Sequence, residues 1–212
     1  MAEANPSTNP RQRARSARRQ LLLEAAEAVF SERGFSRATM SAIASRAGYS
    51  AGNLYNSFEN KEALFIEVLT TRATQILGLV HRTLHSEGTV GEIVDRYIDA
   101  ILTLVQEYRG FFVMLTQTSP DFDWYAAGQP DEEPVLRSEI DHEVVGLFTK
   151  AIERGEIPRA DPRSYACLLQ GTMNAHMARW VRTGGGPEEL LRPIADLRAT
   201  IHRALGLSPG AE

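Results

Sequence analysis

The chain has 212 residues, 43% hydrophobic and 24% charged, enough apolar mass for one compact domain or two small ones. Its single cysteine, Cys167, excludes an internal disulfide and a cysteine-rich zinc site. Net charge is −4, yet residues 1–61 hold nine basic and five acidic side chains against 14 and 22 in the remainder, so only the head is suited to meet a polyanion.

Residues 1–16 show no apolar period and are expected to form a disordered basic tail, as are the uncharged-to-acidic residues 208–212 at the other end. The arginines from Arg11 to Arg19 suit either a solvated tail or an arm along a duplex. From Ala17 onward the apolar residues recur with a period near 3.6. The first helix runs to Arg33 with Leu22, Ala26, Val29 and Phe30 inward, and Gly34 can cap it. Thr39 is placed to cap a short helix ending near Ala47. Gly48-Tyr49-Ser50 forms a turn, and Ser50 caps a third helix from Ala51 to Phe58. Asn60 caps a fourth, reaching about His85. Thr89 and Glu92 form a capping box. The helix it opens carries Ile93, Val94, Tyr97, Ile98, Ile101, Leu104 and Val105, an arc wide enough for a central position. Gly110 breaks the pattern before a short helix over 111–118. Residues 119–134 form the longest interruption, and Asp121-Phe122-Asp123-Trp124-Tyr125 within it is a candidate lid. A helix then runs to Arg154 and stops at Gly155. Asp161-Pro162 starts another. Gly184-Gly185-Gly186 ends it, and Pro187 starts the last. The expectation is an all-α fold of about nine helices. No apolar run reaches membrane-spanning length, and Glu24 and Glu27 follow Leu21-Leu22-Leu23 too closely for a signal peptide, so a cytoplasmic protein without a membrane partner is expected.

The stretch from Thr39 to Phe58 carries the functional signal. Two short helices joined by a three-residue turn with glycine follow the helix-turn-helix plan. On a wheel of about 100° per residue, Leu54 and Phe58 face the core with Ile43, Ala44, Phe30 and Val29. Gly52, Asn53, Tyr55 and Asn56 face away. Asparagine can pair bidentately with adenine in a major groove, and glycine admits close backbone approach. Tyr55 and Ser50 suit phosphate oxygens. Lys61, opening the fourth helix, suits another.

Phe30, Gly34, Thr39, Ile43-Ala44, Ala47-Gly48-Tyr49-Ser50-Ala51-Gly52-Asn53-Leu54-Tyr55, Phe58, Lys61 and Leu64, at these spacings, closely resemble the tetracycline-repressor (TetR) family over roughly residues 18–70. The resemblance implies a homodimer, a small-molecule pocket in the C-terminal domain and, usually, repression from a palindromic operator. It implies a DNA-binding domain over 17–62 and a ligand-binding and dimerisation domain over 63–207. Thr39, Ser50, Tyr55 and Lys61 match the family's phosphate contacts, and Ala51, Gly52 and Asn53 stand where its members meet bases. Asn56 and Ser57 replace a more usual aromatic residue or histidine, and Asn53 a more usual threonine, serine or alanine, so the operator sequence stays open.

The helix after Asp161 is apolar on two sides. One stripe is Ala166, Leu169, Met173, Met177 and Trp180; the other is Tyr165, Leu168, Thr172 and His176. With Leu190, Ile194, Leu197, Ile201 and Leu205 of the last helix, the second stripe builds either an intrachain bundle or the four-helix dimer interface that the resemblance implies. Tyr97, Ile101, Phe111, Met114, Gln117, Phe148, Gln170 and Met173 are the candidate pocket lining, mostly apolar with a few polar groups; each also reads as plain core. Cys167 reads as a small buried hydrophobe. His81 and His85 stand one turn apart and could grip a metal, but no third ligand is evident in the sequence and the metalloprotease glutamate is missing. No metal or cofactor is expected. Without a phosphate loop or a nucleophile motif, an enzyme is not expected. The competing reading is a DNA-binding regulator without a small ligand: constitutive, partner-controlled or activating.

Overall fold

The computed structural model describes residues 10–118, 135–183 and 186–207, and among these all regular structure is α-helical. Two compact units meet between Thr71 and Arg72.

The first unit holds α1 (Pro10–Arg37), α2 (Met40–Arg46), α3 (Ala51–Tyr55) and the opening turns of α4 (Lys61–Leu84). Its core is Leu22, Ala26, Phe30, Ile43, Leu54 and Leu64, all at 0% exposure. Burying each large side chain contributes roughly 1.5–3 kcal/mol, which offsets the ordering of these short helices. Phe30, Phe35 and Phe65 add an aromatic cluster with ring centroids 4.9–5.7 Å apart. It fastens α1 to α4. So does Arg19, which bonds Glu67, donates to the Ser57 carbonyl and stacks 4.5 Å over the Phe58 ring. These contacts are why the unit extends to Thr71, beyond the residue 62 limit expected from the motif.

Two boundaries differ from the sequence expectation. Residues 10–16 belong to α1, whereas a disordered tail through residue 16 was expected. Pro10 suits a first helical position, and arginine and glutamine are good helix formers. The helix therefore propagates outward from its packed segment without the apolar stripe that periodicity detects. The segment 1–9 of that expected tail, and 208–212, lie outside the described residues. Near the other end of α1, Gly34 takes φ 73° and ψ 159°, an extended positive-φ conformation open to glycine, which breaks the helix where a glycine stop was expected. In the second case α3 ends at Tyr55, three residues before the expected Phe58; Phe58 still turns inward, with 4% exposure and its N–H on the Leu54 carbonyl.

The second unit holds the rest of α4 with α5 (Val90–Glu107), α6 (Arg109–Thr118), α7 (Val135–Glu153), α8 (Pro162–Thr183), α9 (Pro187–Leu191) and α10 (Ile194–Ala204). Nine apolar or aromatic side chains of α5 are buried, including all seven anticipated ones. The Thr89–Glu92 capping box forms: Thr89 N–H donates to the Glu92 carboxylate at 2.8 Å, and Glu92 N–H to Thr89 Oγ1 at 3.4 Å. Gly155 stops the turn after α7 by a Schellman pair, Gly155 N–H to Ile152 O and Glu156 N–H to Ala151 O. The expected last helix is two, α9 and α10, broken at Arg192–Pro193. Proline has no N–H and crowds the preceding turn, so it breaks the helix within an otherwise regular apolar spacing. Counted as one broken helix, the described segments give the nine expected. α7 and α8 form the most extensive helix pair in this unit among the described residues.

Two more expectations are corrected. Cys167 is exposed. The buried stripe of α8 is Ala166, Leu169, Gln170, Met173, Met177 and Trp180, and Cys167 falls about 100° away from it. In addition, α4 is long and apolar enough, by length and composition, to cross a membrane, although no such run was expected. Its buried Leu64, Val68, Ile76, Val80 and Leu84 follow one every-fourth-residue row rather than a full apolar circumference, and the buried Arg72 places a charge within that row. The candidate lid at 121–125, Gly184 and Gly185 lie outside the described residues.

Candidate nucleic-acid interface

The turn between α2 and α3 is built from local hydrogen bonds. Thr39 Oγ1 accepts from Ala42 N–H at 3.2 Å, capping α2. Gly48, at φ 76°, closes it: Gly48 N–H reaches Ser45 O and Tyr49 N–H reaches Ala44 O. Ser50 Oγ accepts from Asn53 N–H at 3.3 Å and so caps α3. Each hydroxyl caps as an acceptor, which leaves its own proton for a phosphate oxygen.

The inner face of this pair is closed. Ile43 and Leu54 are at 0% exposure and Ala44 at 1%. The outer face is open. Thr39, Ser50, Gly52, Tyr55 and Asn56 are exposed, and Ala51 and Asn53 are half-buried. Tyr55 stands out with 55% exposure for a large ring. A Cβ at Gly52 would meet nothing nearer than Ser50 Oγ at 4.0 Å. The missing side chain there serves no packing need, and its absence leaves room for a partner against the helix backbone. The DNA-contact candidates expected from the sequence, Lys61 apart, thus lie on α3 or at the caps of α2 and α3 and are exposed or half-buried.

Lys61 differs. Its Nζ donates to the Phe35 carbonyl at 2.8 Å and the Ala38 carbonyl at 3.2 Å, and lies 4.4 Å over the Phe35 ring. Two of three ammonium donors hold the α1–α2 junction, and one is left for an anion. Further basic side chains belong to the same unit. Arg13 and Arg15 are exposed on α1, and Arg18 lies 6.0 Å over the Tyr49 ring. Arg19 is committed to internal contacts and supports the fold instead. Sequence reasoning missed Phe35 and Phe65, which fix the angle at which Lys61 emerges; the aromatic residue directly after Gly34 was the available signal, since a residue beyond a glycine cap often packs back.

A family profile described as "Bacterial regulatory proteins, tetR family" matches residues 22–68, the segment that carries this surface. The chain is 34% identical over 152 residues to the HTH-type transcriptional regulator YhgD of Bacillus subtilis, covering 72% of this chain and 78% of that protein. The chain belongs to the TetR family. It is a DNA-binding transcriptional regulator of that family. It is also 34% identical over 91 residues to the HTH-type transcriptional repressor KstR2 of Rhodococcus jostii, covering 41% of this chain and 45% of that repressor. Among solved structures, a TetR-family regulator, PfmR from Thermus thermophilus, shares the fold with a TM-score of 0.68 at 19% identity, covering 97% of this chain and 100% of PfmR. The FadR regulator of Bacillus subtilis, in complex with stearoyl-CoA, shares it at 0.67 and 21% identity, covering 86% and 96%.

In the second unit of this TetR-family chain, six of the eight candidate lining residues are buried: Tyr97, Ile101, Phe111, Phe148, Gln170 and Met173. Met114 and Gln117 fall on α6, with side chains outside the described residues. A cavity of about 570 Å³ lies between α7 and α8. Gln170 lines it, with Asp141, His142, Arg163 and Asn174; Tyr97, Ile101, Phe111, Phe148 and Met173 do not. Burial, then the charge of Asp141, raises the Tyr97 hydroxyl well above its ordinary pKa. It therefore stays a neutral hydrogen-bonding group.

The dimer candidates separate into two sets. Leu190 and Ile201 are at 0% exposure, so they pack the core of their own unit and support a surface from behind. Leu168, Thr172, His176, Ile194 and Leu197 are half-buried. Of these, His176 Nε2 is 2.8 Å from the Leu190 carbonyl and ties α8 to α9. The amphipathic spacing of the last helix could not distinguish inner from outer positions, because Pro193 shifts the phase of α10 relative to α9.

Proposed function

We propose that this regulator is a homodimeric repressor that holds a palindromic operator through α3 and releases it when a small molecule binds the second unit. The observation that supports it most is the divided character of α2–α3: a wholly buried inner face, and an outer face that exposes Thr39, Ser50, Gly52, Tyr55 and Asn56 together. Asn53 and Asn56 read base edges, Gly52 admits the backbone, and Thr39, Ser50, Tyr55 and the remaining Lys61 donor hold phosphates. A dimer is mechanically useful, since two recognition helices must stand about 34–36 Å apart, or a multiple of it, to read successive major grooves. Leu168, Thr172, Ile194 and Leu197 are the half-buried residues proposed to meet the partner copy. The chain acts in the cytoplasm, where its operator is, and performs no catalysis.

The effector is proposed to enter at the α7–α8 cavity, whose volume falls within the 300–1,000 Å³ of ordinary ligand sites. Long-chain acyl-CoA is the first class to test, because the FadR structure that shares this fold holds stearoyl-CoA. The second reading, a regulator without a small ligand, is favoured by one fact: five of the six buried candidate residues pack outside that cavity. The deciding experiment is binding of the whole protein to fragments of its upstream DNA at several salt concentrations. Saturable binding to a palindromic fragment, with log affinity falling linearly in log salt, is expected. A folded protein that binds no DNA even at low salt would overturn the reading.

A further inference from the structure

Away from the DNA-binding surface, the fold gathers three ligand-type side chains that lie far apart along the chain. His81 and His85 stand one turn apart near the end of α4, and Glu143 lies on α7. His81 Nδ1 is 3.0 Å from one Glu143 oxygen, and His85 Nδ1 is 3.4 Å from the other. The imidazole rings are 4.2 Å apart and tilted by 31°. One ligand-type atom from each residue lies within 4.8 Å of the other two. We propose that His81, His85 and Glu143 form a binding site for one divalent transition-metal ion of the zinc class per chain.

The spacing carries the proposal. Positions four apart share one helix face, so both imidazoles reach one point without distorting α4. Two ligands bound at about 2.0–2.1 Å to a tetrahedral ion stand about 3.4 Å from each other. The two nitrogen–oxygen separations already sit close to that value. Small side-chain rotations, with no helix movement, bring all three groups onto one ion. His85 Nδ1 also lies 3.0 Å from the His81 carbonyl, a contact the ring exchanges for the ion when it turns toward Glu143.

The donor set selects the ion. Two imidazoles and one carboxylate suit zinc, nickel or cobalt, whereas calcium and magnesium take oxygen ligands. The side chains of His81 and His85 are 61% and 43% exposed, and that of Glu143 26%. An ion there exchanges readily and keeps an open position for water or an anion. A cavity of about 660 Å³ between α4 and α7, bordered by His81, Glu139, His142 and Glu143, gives it access. Bound metal would link the end of α4 to α7.

The test uses the full-length protein without a histidine tag. Zinc is titrated calorimetrically, and cobalt is added separately to read visible d–d absorption. One ion per chain is expected. His85→Gln and Glu143→Gln should each weaken binding by more than about 10-fold, a loss that even outer-sphere partners can produce, and abolish the cobalt spectrum. His142→Gln should leave both unchanged. Circular dichroism checks that each variant folds. No saturable binding by the wild-type protein overturns the site. Unchanged binding in His85→Gln or Glu143→Gln, or a loss that follows His142, overturns it as well.

Discussion

At Tyr55 a large ring is 55% exposed beside Leu54 at 0%. The hydrophobic effect alone gives no reason to place an aromatic residue there, whereas a phosphate oxygen gives its hydroxyl a partner. Asn53 is half-buried and its backbone N–H is held by Ser50, while its side-chain amide suits a base edge rather than a phosphate. The two substitutions should therefore fail differently. Asn53→Ala is expected to cost about 1–3 kcal/mol at one base position and to relax selectivity there. Tyr55→Phe is expected to weaken all sequences alike and to leave the salt slope intact, because tyrosine carries no charge to release counterions. Fluorescence anisotropy on the operator and a set of single-base variants separates the two. Equal losses across all base variants for Asn53→Ala would remove it from base reading.

At the scale of an element, the caps decide where helices begin. In the capping box of α5, the backbone N–H of Thr89, then its hydroxyl, hold the Glu92 carboxyl below the ordinary 4.5. A carboxyl with a depressed folded pKa contributes stability that is complete above its unfolded value and is lost as pH falls through the folded one. Thr89→Ala should lower stability by about 1 kcal/mol at neutral pH. Glu92→Gln should flatten the part of the acid stability curve that lies below 4.5. Thermal melts across this range measure both, and an unchanged acid limb in Glu92→Gln would show that the box carries no pH dependence. Caps of this kind were legible in the sequence, since Thr39, Ser50, Thr89, Asp161 and the capping glycines act on residues within one turn of themselves. The outward face of α3 was legible for the same reason. What escaped were features without a local signature: the helical turns before Ala17, which have no apolar stripe; the phase break at Pro193; the outward turn of Cys167; and Glu143, whose approach to His81 spans 62 positions and obeys no period.

For the molecule as a whole, the boundary at Thr71 and Arg72 falls inside α4. The proposed repressor needs its effector and its operator to compete for one conformational equilibrium, and α4 belongs to both units. Such coupling is typically 1–3 kcal/mol, so saturating effector should weaken operator binding by about 5- to 150-fold. The same thermodynamics demands the reverse: operator DNA must weaken effector binding by the identical factor. With stearoyl-CoA as the probe, both arms are measurable, one by anisotropy of labelled DNA and the other by calorimetry with and without saturating operator. Equal factors are expected. A probe that binds the protein and leaves operator affinity unchanged would place this chain with regulators that have no such ligand control. Effector binding that DNA abolishes entirely, rather than by a finite matching factor, would mean that the two ligands contest one surface, and the cavity between α7 and α8 would then lose its assigned role.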